Sequence, residues 1–334
     1  EDGIRDRDVT GVQTCALPIY ALDSLEEYNG FIPAVVIKAD PKYVQAFTKK
    51  GETIDIKNDG LALIQKTLSD KDPKNRKVKS GSIIRVIQKN KQWEVVQLPK
   101  VEASLVSMDP QTGAITALVG GFDFNRNKYN HVTQAKRQPG STFKPFIYSA
   151  ALEKGITPAT IVNDAPLHFS AAETGSGTDW DPQNYDNDFD GHIRLRNGLA
   201  KSKNLVAIRV LKAIGPSYAQ DYATRFGFDA ANHPAYLSMA LGVGSATLME
   251  MVTAYGVFAN GGYLKKPYLI EKMVDSQGKV IDQTNAMFQN EETPRVIDPR
   301  NAFIMTTLLQ DVVNKGTAVK AKILGRSEIG RAHV

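Results

Sequence analysis

The chain has 334 residues, 42% hydrophobic and 23% charged, with a net charge of +5. That balance fits an ordinary globular chain long enough for two domains and excludes a disordered or fibrous one. The single cysteine, Cys15, excludes an internal disulfide framework and a multi-cysteine metal site, and no apolar run approaches the ~18 residues of a membrane span.

Both ends read as foreign. Thr14-Cys15-Ala16-Leu17-Pro18-Ile19 and Glu328-Ile329-Gly330-Arg331-Ala332-His333-Val334 resemble translations of a sequencing-library adapter. One DNA encoding the second has a reverse complement that, in a shifted frame, encodes the first. Residues 1–19 and 328–334 are therefore expected to be non-native and are set aside, as an expression scar would be. Residues 20–30 are expected to be a linker.

Residues 31–98 predict a small strand-rich domain. Pro33–Ala39 is β-rich and ends at Asp40-Pro41, and Glu52–Lys57 alternates with period two. Ser82–Ile87 and Trp93–Leu98 flank a polar turn, Lys89–Gln92, which is a hairpin signal. With one short helix near Leu61–Leu68, the pattern suits a β-barrel of the OB type. The basic run Lys71–Lys79 contains Asp72 and Pro73 and reads as a solvated loop. Aromatic residues here are few and scattered, so no nucleic-acid binding is expected.

Residues 99–327 predict a second domain. A hairpin, 103–108 with 114–119, leads through polar loops to helices at 142–154, 195–214 with a break, 217–226, 246–260 and 301–314, with strand and loop at 263–297. Strands first and helices later fit an α/β (α+β) domain.

Within it lies Arg137-Gln138-Pro139-Gly140-Ser141-Thr142-Phe143-Lys144-Pro145. Pro145 lacks an N–H and fits only the first turn of a helix, which places the helix start near Ser141. Three residues apart on a helix, Ser141 and Lys144 share a face. A hydroxyl is a poor nucleophile until a base takes its proton, and a neighbouring uncharged amine can do so. Ser-x-x-Lys alone is a weak signal. About 60 residues on, Ser202-Lys203-Asn204 falls at the helix break; by itself it reads equally as an N-cap.

The ordered pair resembles the penicillin-binding transpeptidases and serine β-lactamases, whose motifs are Ser-x-x-Lys, Ser-x-Asn and Lys-Thr-Gly. Trp180-Asp181-Pro182-Gln183-Asn184-Tyr185, Ala240–Ser245 and Ala254–Gly262 narrow the resemblance to bifunctional class A penicillin-binding proteins, and the 31–98 module resembles the OB-like insertion of their proteobacterial type 1A members. The implied fold is a β-lactamase/transpeptidase-like domain preceded by the OB-like barrel. Lys-Thr-Gly does not occur in the 334 residues; Lys315-Gly316-Thr317 has the wrong order. The domain is thus expected to be truncated and the chain inactive, with a glycosyltransferase domain and membrane anchor belonging to the parent protein ahead of residue 20.

The resemblance implies that Ser141 is the nucleophile, Lys144 its base, Ser202 a proton carrier and Asn204 a substrate-amide ligand, with Lys203 pointing away. Peptidoglycan stem peptides and β-lactams are the implied substrates. Outer-membrane lipoprotein activators of the OB-like module are an implied partner class, and the periplasmic face of a bacterial inner membrane is the implied location. No metal or organic cofactor is implied. The alternatives are a D,D-carboxypeptidase or β-lactamase-type hydrolase and a non-catalytic penicillin sensor; the oligomeric state stays open.

Three further patterns are set aside. Asp186–Gly191 resembles the start of an EF-hand loop, but Asn197 stands at the twelfth position. His131, His168, His192 and His233 lack metal-ligand spacing. Gly242–Thr247 lacks the last glycine of a dinucleotide loop.

Overall fold

The computed structural model describes residues 16–68, 77–174, 178–284 and 295–325. Cys15, Lys71–Arg76 of the basic run and the 328–334 tail lie outside them. Two compact units emerge, one of residues 1–103 with 121–129, the other of 104–120 with 130–334.

In the first unit, β1 (Ile32–Asp40), β2 (Tyr43–Thr48), β3 (Thr53–Lys57), β4 (Ile83–Lys89) and β5 (Gln92–Val96) form one antiparallel sheet of order β3-β2-β1-β4-β5. Alternate residues of β2 and β3 are buried, so Val44, Ala46, Ile54 and Ile56 join Ala34, Val36 and Val86 in one core. The β4–β5 hairpin turns on Asn90 and Lys91, both at positive φ, the pair of angles a two-residue type I′ turn needs. The expected helix near Leu61 is a 3-10 segment, Asn58–Ile64, whose Leu61 and Ile64 close the core. Strand β2 escaped sequence reading because Gln45 and Ala46 dilute its β-branched character. Residues 20–30 are more than a connection. Helix α1 (Ala16–Asp23) buries Leu22, and Lys49 Nζ donates to the carbonyls of Asp23 and Leu25 at 3.1 and 2.7 Å.

The second unit is built around α2 (Lys144–Glu153), in which every residue from Lys144 to Ala151 is buried. A helix apolar on all sides belongs in a core. Around it are α4 (Leu195–Ala200), α5 (Asn204–Ile214), α6 (Pro216–Thr224), α7 (Leu248–Ala259) and α8 (Pro299–Lys315), sharing one apolar cluster; α3 (Ala171–Thr174) is a single turn. Hairpin β6 (Leu105–Met108) and β7 (Ile115–Val119) form a two-stranded sheet, as do β8 (Ile161–Asp164) with β9 (Gly191–Arg194) and β10 (Lys272–Val274) with β11 (Val280–Gln283). Helix α2 stops where Gly155 turns to φ +85°, and α7 starts on a capping box between Thr247 and Glu250.

Candidate active site

Ser141 stands in a 3-10 turn, Gly140–Phe143, that runs directly into α2, so the helix proper starts at Lys144, one turn later than expected. Lys144 is helical despite preceding Pro145, because the 3-10 turn already points the chain along the helix axis. The turn is held from beneath. Phe143 is fully buried, stacked on His233 at 4.7 Å and packed on Phe146 and Phe228. Tyr255 Oη donates to the Thr142 carbonyl at 2.7 Å. Gly140 N–H donates to the Gly242 carbonyl, and Arg137 pairs with Ala246 through both backbone bonds. A Cβ on Gly242 would lie 2.0 Å from the Gly140 carbonyl oxygen, and its φ is +71°. The 242–247 glycine pattern is therefore a close backbone approach behind the Ser141 turn.

The facing corner is the end of α4. Lys203 N–H donates to the Gly198 carbonyl and Ser202 N–H to that of Leu199, the paired bonds of a Schellman motif. Ser202 takes the left-handed position, φ +60°, that such a motif usually gives to glycine. Holding a non-glycine residue there costs about 1–2 kcal/mol.

All four predicted site residues meet here. Lys144 is fully buried, and its Nζ donates to Ser202 O at 2.7 Å, Asn204 Oδ1 at 2.7 Å and Ser202 Oγ at 3.3 Å. Ser202 Oγ lies 3.3 Å from Ser141 Oγ. Asn204 Nδ2 donates to the Gln183 carbonyl at 2.8 Å, which fixes which way the Asn204 amide faces.

Ser202 and Asn204 do not cap α5. That cap comes from a residue sequence reasoning passed over, Asn184, whose Oδ1 accepts from the Asn204 and Leu205 amides at 2.8 and 3.3 Å. Its Nδ2 donates to both oxygens of Asp164, at 2.9 and 3.1 Å. The EF-hand-like loop and Asp164 at the end of β8 enclose the Lys203 ammonium, 3.0 Å from Asp186, 3.5 Å from Asp164 and 3.9 Å from Asp190. Burial lowers the Lys203 pKa, but the Asp186 hydrogen bond and the charges of Asp190 and Asp164 outweigh it, and the net shift is upward. The signal available in the sequence was Gln183-Asn184 before a run of three aspartates, but it names no partner.

An OB-like module and an α/β unit with Ser-x-x-Lys against Ser-x-Asn define a penicillin-binding class of chain. The penicillin-binding protein transpeptidase domain matches residues 103–329, and the penicillin-binding protein OB-like domain matches residues 14–101. The chain belongs to the penicillin-binding protein transpeptidase family. It is 45% identical over 308 residues to penicillin-binding protein 1A of Neisseria flavescens, covering 92% of this chain and 38% of that relative's length. The crystal structure of penicillin-binding protein 1A from Haemophilus influenzae superposes with a TM-score of 0.79 at 31% identity, over 95% of this chain and 50% of that one. The PonA1 protein of Mycobacterium tuberculosis, solved in complex with penicillin V, aligns at 25% identity and a TM-score of 0.54 over 63% of this chain and 56% of that one.

Proposed function

We propose that this chain carries the acyl-transfer centre of a peptidoglycan D,D-transpeptidase, part of a longer polypeptide that also holds a glycosyltransferase domain and a membrane anchor. The observation that carries the reading is the polar cluster around a fully buried lysine. Once deprotonated, Lys144 keeps two hydrogens for Ser202 O and Asn204 Oδ1, both at 2.7 Å, and the third direction, toward Ser202 Oγ at 3.3 Å, is where its lone pair takes a proton from a hydroxyl.

Ser141 Oγ attacks the carbonyl of the penultimate D-Ala, and its proton passes to Lys144, directly or through Ser202 Oγ. The Ser141 N–H, near the start of α2, donates to the oxyanion. Collapse of the tetrahedral species breaks the peptide bond. Terminal D-Ala leaves with a proton returned through Ser202, and the acyl-enzyme is opened by an amine of a neighbouring stem peptide. β-Lactams acylate the same oxygen; that such chains take β-lactams is supported by the PonA1 protein's complex with penicillin V. By family likeness, the periplasmic face of the inner membrane is the working location, and lipoprotein activators are partners of the OB-like module. The described residues include no helix long and apolar enough to cross a membrane.

The test is Ser141→Ala in the full-length protein, with peptide cross-linking and labelled-penicillin acylation both measured. Loss of both is expected. Cross-linking that survives removes Ser141 from its role, and a parental protein that releases D-Ala to water with no cross-link formed favours the carboxypeptidase instead.

A further inference from the structure

The loop 183–190 grips the Ser202–Asn204 corner at three points, and none of the gripping groups belongs to either motif. The Gln183 carbonyl orients the Asn204 amide. The Asn184 side chain, only 3% exposed, holds the first two amides of α5. The carboxylates of Asp164, Asp186 and Asp190 close on Lys203, which is itself 4% exposed.

We propose that Asn184 is a positioning residue for acyl transfer, with Lys203 as the pin that keeps its loop closed. This rests on the function proposed above. Asn204 Oδ1 is a short acceptor of Lys144, at 2.7 Å, and its place is set by the first turn of α5. That turn has no side-chain cap of its own, since Lys203 at the N-cap contributes none. Asn184 supplies the cap and is tied in turn to Asp164 and, through Nδ2, to the Asp188 carbonyl at 2.8 Å. Asp164 is fully buried and shares the Lys203 ammonium with the loop. Removing the Asn184 amide frees the Asn204 and Leu205 amides to shift, and Asn204 Oδ1 moves relative to Lys144. The amine then loses a fixed acceptor, and its lone pair loses its aim at the serine hydroxyls.

Two measurements test this. In the 334-residue chain, Asn184→Ala is expected to speed hydrogen exchange at the Asn204 and Leu205 amides about tenfold, roughly the worth of one buried hydrogen bond. Exchange in the middle of α2 should stay as it was. In the full-length protein, the same substitution is expected to lower the limiting rate of penicillin acylation about tenfold. The dissociation constant of the non-covalent penicillin complex should stay within about twofold, since a positioning residue touches no substrate. Lys203→Arg, which keeps a cation among the three aspartates, should acylate near the parental rate, and Lys203→Gln more slowly. Unchanged exchange at Asn204 overturns the proposal. So does faster exchange with an unaltered acylation rate, which would make Asn184 a cap and nothing more. If Asn184→Ala fails to fold, the Lys203 pair decides: equal rates for Arg and Gln overturn it. A parental protein that never acylates would sink the proposed function, while the exchange result would still judge the loop's grip.

Discussion

Lys144 and Ser202 show how single residues trade stability for chemistry. A lysine with no exposed surface is costly unless its nitrogen is hydrogen-bonded, and Ser202 adds backbone strain at φ +60°. Ser202→Gly removes that strain and the hydroxyl together. It is expected to raise stability by about 1 kcal/mol in chemical denaturation while lowering penicillin acylation in the full-length protein. His233 has a different cost. It is 1% exposed beneath Phe143, and burial lowers its pKa below the ordinary histidine value, against the raising charges of Glu250 and Asp229. The unfolded chain therefore binds a proton at a higher pH than the native one. Stability should fall as pH drops from about 6.5 toward the lower native pKa, and level off below it. His233→Phe should flatten that slope in unfolding midpoints taken between about pH 7 and 5.

At the scale of elements, close backbone approaches decide where the motifs lie. The Lys315-Gly316-Thr317 decoy has a structural task at the end of α8. Thr317 N–H donates to the Ala200 carbonyl at 3.2 Å, and a Cβ on Gly316 would sit 2.1 Å from the same oxygen. That carbonyl closes α4 just before Ser202. Gly316→Ala should destabilise by about 1–3 kcal/mol, read from the denaturation midpoint, because backbone rather than a side-chain tip must yield. The Ser-x-x-Lys helix was legible from Pro145, which acts through local backbone chemistry. The cap on α5 was not, because Asn184 comes from 20 residues away and only a fold brings it there.

At the scale of the molecule, two separate apolar clusters among the described residues imply two cooperative units. The chain has two tryptophans, Trp93 beside the core of the five-stranded sheet and Trp180 stacked on Phe169 beside the helical core. Single-tryptophan variants followed in urea should give different midpoints; coincident curves would mean one unit.

The amino-acid order alone settled the strand-rich module, the run of helices, and the residues Ser141, Lys144, Ser202 and Asn204 as a candidate set. The first two readings rest on local rules, alternation and the placement of proline and glycine; the candidate set rests on motif spacing together with the resemblance to the penicillin-binding transpeptidases. Only the folded chain decided that a serine fills a glycine's position in the turn after α4, that an acidic loop closes on Lys203 and that Asn184 steadies α5. Each of these depends on groups far apart in sequence meeting inside a core, where a buried amide or charge must find its partner across the fold.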